Sequence, residues 1–375
     1  MSWYITGSGA VASIGHGVDE LFTNLCLGQT GLAPLRGFDP ENYRARSAYE
    51  VDNRPEAGKD VPRRATGLLA EAIAEAASSA GLEDLTDVPI LVGTGLRELR
   101  SLELWWREGV AFTADELHFG TALRERFGAE VTYTFSNACS ASLYALAMGT
   151  DLLALDAADT VIVAGVDVLT ESMHGLLERV HAAPPDRVRP FDRNRTGVLM
   201  GDGAAAVVLR RDPSGQDRGL LRAVSVNCDA FHVTAPHPAG IATAMRDAHD
   251  LAGVKPEDVD LVLLHGTGTL LNDEAEATAM ADVYGKHIGT PLMAAIKSMT
   301  GHTSGASGLM NLVVGMESLK FGVVPPIVGL TDPVDEAADF RFALGEAATA
   351  DVSVAQINAF GFGGINAVAI VEAVR

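Results

Sequence analysis

Short strand-like runs punctuate the chain, most of them apolar without internal alternation, and stretches with helical spacing lie between them. The strand-like runs fall at 3–7, 88–95, 131–136, 159–167, 204–210, 259–266, 290–297, 353–360 and 366–373. Strands buried on both faces read this way. Residues 17–27, 62–81, 115–127, 140–154, 271–284 and 304–321 carry apolar positions at helical intervals. Alternating strand and helix predicts an α/β protein with mostly parallel sheets. Residues 183–197, "APPDRVRPFDRNRTG", read as a long polar loop. The two halves share a loose strand–helix–strand rhythm, but residue identities alone do not establish a duplication.

Composition narrows the classes. At 375 residues and 47% hydrophobic, the chain can bury one large core or two ordinary ones. It has no run of 18 apolar residues, so no membrane span is predicted. The start, "MSWYITGSG", has no basic segment and reads as a first strand rather than a signal peptide. The cysteines, Cys26, Cys139 and Cys228, are odd in number and lack paired spacing, which points to a reduced, cytoplasmic protein. A net charge of −21 argues against nucleic acid and anionic membrane as partners. The densest basic stretch, "RVRPFDRNR" at 187–195, carries two aspartates of its own.

Candidate chemistry starts at "FSNACSASLYAL", 135–146. A free cysteine is more often a small buried hydrophobe than a reactive group. Cys139, however, follows a strand-like run and opens a good helix. That position favours a thiolate through unpaired N–H groups and the helix dipole. Small neighbours, Ala138, Ser140 and Ala141, leave room for an incoming carbonyl, and the Cys139 N–H could meet an oxyanion. His265 in "LLHGTGTLLNDEAEA" and His302 in "IKSMTGHTSGASGLMNLV" each follow an apolar run in a loop of small residues. Lys297 lies five positions before His302; on sequence alone it reads equally as a surface lysine. "NAFGFGGINA", 358–367, is a glycine-rich turn between strands that could present a backbone N–H and an aromatic gate. It is not a phosphate cradle, because a strand and not a helix follows it. No HExxH or CxxC pair is present, and His232 and His237 lack the rest of a ligand set, so no metal is implied.

"NACSAS", "HGTGT", "KSMTGHTSGASG" and "NAFGFGGINA", in that order, resemble the elongating β-ketoacyl-carrier-protein synthases, with further matches at "RPFDRNRTGVLMGDGAAAVVL" and "DAFHVTAPHP". The resemblance spans nearly the whole chain. It implies a thiolase fold of two pseudo-duplicated halves in αβαβα layers, residues 1–215 carrying the cysteine and 216–375 both histidines. It implies a catalytic Cys139, His265 and His302, with Lys297 in support. It places Phe362, flanked by Gly361 and Gly363, at the gate and oxyanion hole, and Leu96, Thr267, Thr269 and Phe360 along the substrate pocket. The implied reaction moves an acyl group from a carrier protein to Cys139 and condenses it with a malonyl-type carrier thioester, in fatty-acid or polyketide synthesis. The phosphopantetheine arm arrives with the carrier, so no resident cofactor is implied. The implied partners are an acyl carrier protein and a second subunit, identical or related.

Some positions depart from the family pattern. The segment between "VGTG" (92–95) and Cys139 is shorter, Asn311 stands where a glutamate is usual, and "GDG" with Asp202 replaces "GEG". Asn311 is expected to remove a charge from the surroundings of Lys297. The same fold also admits an acyltransferase or off-loading enzyme using the same cysteine, or a non-catalytic partner subunit like a chain-length factor. Lys59, Arg63 and Arg64, before the helix at 65–81, are candidates for a basic carrier-docking patch.

Overall fold

A computed structural model describes residues 2–56, 59–180, 183–215 and 217–374. Gln216, where the second half was expected to begin, lies outside the described residues. Ten strands form the core of one continuous sheet: β1 (Trp3–Ala12), β2 (Ile90–Gly93), β3 (Thr132–Phe135), β4 (Thr160–Asp167), β5 (Gly203–Arg210), β6 (Gly219–Cys228), β7 (Leu261–Leu263), β8 (Leu292–Ala294), β9 (Val354–Gly361) and β10 (Ile365–Glu372). Their spatial order is β8-β7-β9-β10-β6-β1-β5-β4-β2-β3. Each set of five therefore has the same order, third-second-fourth-fifth-first by position in the chain. The two sets meet where β1 pairs antiparallel with β6, Trp3 opposite Leu221 and Ile5 opposite Gly219.

The sheet is mixed, not mostly parallel. Strands β2, β3 and β4 pair in parallel, as do β7, β8 and β9. The last strand of each set runs antiparallel to both neighbours. Apolar runs report burial, not direction, and β9 turns straight back into β10 across Phe362–Gly364 with no helical crossover.

Helices complete the layers. The main ones are α1 (Arg64–Ser79), α2 (Ala141–Ala154), α3 (Pro238–Ala252), α4 (Leu270–Tyr284) and α5 (Ser307–Phe321). Helix α1 covers β1, β5 and β4 on one outside face, and α3 covers β6 and β10 on the other. Helices α2 and α5 lie between the sheet halves: α2 packs on β2, β4 and β6, and α5 on β9, β7 and β5. Both are apolar nearly all round, and Ser307–Leu319 is buried without interruption, as a helix with sheet on two sides must be. Gly93, Gly165 and Gly308 permit this closeness; a Cβ on Gly93 would lie 2.4 Å from the α2 backbone.

Four elements escape the sequence pattern, helix α3 (Pro238–Ala252) among them. Strand β6 alternates buried and half-buried residues along its length, so it offers no continuous run. Leu99–Glu108 and Glu171–Val180 are short helices with one buried stripe each. The stretch expected as helix at 115–127 is a 3₁₀ turn, Ala114–Leu117, followed by a helix from Gly120. The run at 290–297 shortens to Leu292–Ala294, and Lys297 opens a helical turn instead. No described helix is long and apolar enough to cross a membrane.

Candidate active site

Cys139 sits in a 3₁₀ turn, Ala138–Ser140, directly ahead of α2. Ala138 is held in the left-handed region at φ 50°, a strained shape for a residue with a Cβ. The hydroxyl of Ser140 donates to the Ile365 carbonyl at 2.9 Å, tying the turn to β10. The end of β9 lies against the same turn. A Cβ on Gly361 would come 3.2 Å from the Cys139 nitrogen and 3.3 Å from the Ala138 Cβ. The N–H groups of Cys139 and Phe362 are directed toward the sulfur and favour its charged form. Gly363 and Gly364, at φ 87° and 76°, close the hairpin behind Phe362, whose ring is 47% exposed.

The histidines come from the other half of the chain and meet each other. His265 follows β7 and His302 follows the Lys297–Thr300 turn. Their rings lie 5.5 Å apart, nearly perpendicular, and Phe360 on β9 packs its ring 5.7 Å from that of His265. Both are buried, and neither Nδ1 finds a partner. His302 is pinned by its own backbone, its N–H donating to Leu199 and its carbonyl accepting from Gly201. Glu276 on α4 accepts from the His265 N–H at 2.7 Å and the Gly266 N–H at 2.9 Å. Asp273 accepts from the N–H groups of Thr267 and Gly268 and so shapes the next turn. Thr267 and Thr269 bond to each other through their hydroxyls at 2.9 Å, and Thr269 caps α4.

Lys297 is buried, at 2% exposure, which settles its sequence ambiguity against the surface. Its Nζ donates to the His265 carbonyl at 2.5 Å. Burial pulls its ammonium below the usual lysine range, with Glu276, Cys139 and Asp273 pulling the other way. Burial likewise pushes Glu276 up from the usual carboxylate range. Both imidazoles are driven well below 6.5 by burial and then by the Lys297 charge, so they are neutral at pH 7. Cys139 departs from expectation. The residue is half-buried, and desolvation pushes its thiol up to about 12 against the pull of Lys297 and of the two N–H groups, which favours a resting thiol over a thiolate.

Other expected residues divide. Leu96 is buried beside Leu169, Val198 and Met200, and Met200 bridges to His302, so this apolar cluster adjoins the site. Asn311 donates to the Leu264 carbonyl at 3.1 Å, while Glu276 and Asp273 remain as carboxylates around Lys297. Asp202 accepts from Arg64 and from the N–H groups of Val51 and Leu169. That contact overturns Arg64 as a docking residue. It is 3% exposed, and its guanidinium serves Asp202 and the Val51 carbonyl. Arg63 does reach solvent, paired with Glu116, and Lys59 sits 3.6 Å from Glu56. His232 accepts two backbone N–H bonds through Nδ1, and His237 stacks on Phe231. No cluster of three or more metal-ligating side chains occurs among the described residues. The sequence reading missed Glu276 and Asp167. Their only signal was an acidic residue in an otherwise apolar or helical setting.

Comparison with known proteins adds to this geometry. The family described as "Beta-ketoacyl synthase, N-terminal domain" matches residues 4–214, and "Beta-ketoacyl synthase, C-terminal domain" matches 218–331. A 3-oxoacyl-(acyl-carrier-protein) synthase 2 of Coxiella burnetii is 28% identical, over 99% of this chain and 98% of its own length. Nodulation protein E of Rhizobium meliloti is 29% identical over 97% of each. A solved structure, the ishigamide ketosynthase/chain length factor, aligns with a TM-score of 0.89 at 30% identity, covering 100% of this chain and 99% of that one.

Proposed function

The chain belongs to the β-ketoacyl synthase family, and we propose that Cys139, His265 and His302 carry its chemistry, with Lys297 and the N–H groups of Cys139 and Phe362 in support. The reaction is acyl transfer from a carrier protein followed by decarboxylative condensation with a malonyl-type carrier thioester. One observation carries the residue assignment. The half-buried Cys139 and the two buried imidazoles, drawn from opposite halves of the chain, all lie within reach of the charge of Lys297.

The Cys139 sulfur attacks the acyl thioester. Because the resting group is a thiol, its proton must leave as the carbon–sulfur bond forms, and a neutral imidazole takes it. The oxyanion forms beside the Cys139 and Phe362 N–H groups; in other enzymes one such donor is worth about 2.7–4 kcal/mol. Collapse expels the carrier thiolate, which recovers the proton from the imidazolium. In the second half-reaction, the imidazole N–H groups hold the malonyl thioester oxygen while CO₂ departs. The resulting carbanion attacks the acyl group on Cys139 and releases the β-ketoacyl carrier. The freed sulfur then takes a proton from solvent. This is ping-pong chemistry through a covalent intermediate.

In this reading Thr267 and Thr269, on the turn after His265, line the path of the carrier's phosphopantetheine arm, and Leu96 and its cluster meet the acyl chain. A second subunit of the same or a related kind is the expected assembly partner, supported by the ketosynthase/chain length factor likeness. Intact-mass analysis after incubation with acyl-carrier, then with malonyl-carrier, tests the scheme. The expected result is an acyl adduct on Cys139, then CO₂ and a β-ketoacyl carrier. An adduct without CO₂ would favour off-loading, and no adduct would favour a partner subunit.

A further inference from the structure

Asp167 ends β4, fully buried, and its carboxylate is enclosed by four donors and no acceptor. Oδ1 accepts from the Thr94 hydroxyl at 2.7 Å and the Leu96 N–H at 2.8 Å. Oδ2 accepts from the Gly95 N–H at 2.8 Å and the Gly305 N–H at 2.6 Å. A protonated acid would have nowhere to donate here, so the group fits as a carboxylate. Three of the donors come from the loop after β2, in the first half. The fourth comes from the loop three residues beyond His302, in the second.

Strain collects around the same point. Arg97 and Ser304 lie in the left-handed region at φ 58° and 46°, on the two loops that Asp167 joins. Ala138, beside Cys139, is the third such residue close by. A Cβ on Gly95 would approach Ser304 Oγ at 2.5 Å, Asp167 Oδ2 at 3.1 Å and the Ala138 carbonyl at 3.8 Å. Strained backbone persists only where surrounding contacts over-determine it. The Asp167 hydrogen bonds supply that determination for both loops.

We propose that Asp167 is a positioning residue of the site: its carboxylate clasps the 94–96 loop to the 303–305 loop and so sets the Cys139 turn against His302. The proposal rests on the reading of Cys139 and His302 given above. The same negative charge acts on the thiol together with Lys297, whose charge also bears on His265 and His302, and it opposes ionisation of Cys139.

Asp167→Asn tests it. The amide keeps the shape but, in either orientation, turns an NH₂ toward at least one backbone N–H that needs an acceptor. The expected result is a folded enzyme whose condensation kcat falls about 100-fold, the scale of a misplaced reacting group, with KM for the carriers little changed. Alkylation of Cys139 by iodoacetamide at pH 8 should rise about threefold or more, equivalent to roughly half a pH unit. Asp167→Glu should restore part of the kcat. A purely structural role would lower the melting temperature and leave kcat per folded molecule and the alkylation profile alone. That result, or a wild-type kcat in the Asn variant, overturns the proposal. If Asp167→Asn does not fold, Thr94→Val removes one of the four donors. An unchanged kcat there overturns it equally, and a severalfold loss supports it. The wild-type adduct on Cys139, measured alongside, keeps the outcomes distinct. If that adduct is missing, the functional reading fails, and the alkylation shift decides Asp167 by itself.

Discussion

Gly361→Ala offers a quantitative probe of the oxyanion hole. Gly361 is not among the left-handed glycines, so alanine suits its backbone and the effect is steric. The new methyl would meet Ser140 Oγ at 3.1 Å, Cys139 N at 3.2 Å and Ala138 Cβ at 3.3 Å. Ordinary contacts begin near 3.4 Å, so each neighbour must yield by a few tenths of an ångström. All three belong to one turn, already strained at Ala138 and fixed to β10 by Ser140. The hairpin and the nucleophile turn must therefore separate. Overpacking of this kind costs about 1–3 kcal/mol. Complete loss of one oxyanion donor costs about 10²–10³ in rate, and a partial displacement should cost about 10–100-fold. The assay is single-turnover acylation of Cys139 from an acyl-carrier, read by intact mass, with iodoacetamide alkylation as a control. Acylation should slow by that factor while alkylation, which needs no oxyanion hole, changes little. Acylation at the wild-type rate would refute the placement of the Phe362 N–H over the sulfur.

Cys139 alkylation should climb about tenfold per pH unit from pH 6 to 9 without levelling, since desolvation pushes its thiol up to about 12; a plateau below pH 7 would show a resting thiolate. The burial that keeps His265 and His302 neutral should hold acylation flat from pH 8 down to 6; a fall centred near 6.5 would mean an ordinary imidazole. Arg64→Met leaves Asp202 buried without its cation and should cost about 3–5 kcal/mol in denaturant unfolding, whereas Arg63→Glu breaks only an exposed pair and should cost under about 1 kcal/mol. A selective loss of carrier affinity in folded Arg64→Met would restore Arg64 to the docking surface.

Much of the site is readable in sequence because its parts occupy fixed places at strand ends. Cys139, His265 and His302 each follow an apolar run in a loop of small residues, and the structure brings those loops together. Lys297 could not be decided from its neighbours, because only the fold shows which end of a strand is enclosed. Arg64 failed for the opposite reason. The start of a helix looks like surface, and its acidic partner, Asp202, lies far along the chain. Asp167 and Glu276 act through backbone N–H groups distant in sequence or across a turn, and no local spacing announces such bonds. A helix N-terminus beside Cys139 is legible in sequence, whereas the desolvation that opposes its ionisation is not. Strand β6 was hidden by its half-wet face.

The central helices carry a consequence for how the protein is made. Helix α2 is complete early in synthesis, but the sheet that covers its second side comes from residues beyond Gly219. At about 5–20 residues per second, the roughly 150 residues that follow take on the order of 10–30 s to emerge. Through that interval an apolar helix lies open on one flank. Exposed apolar surface of this kind favours aggregation until it is covered, so a transcript cut near codon 215 is expected to yield a sticky fragment instead of a half-sized enzyme.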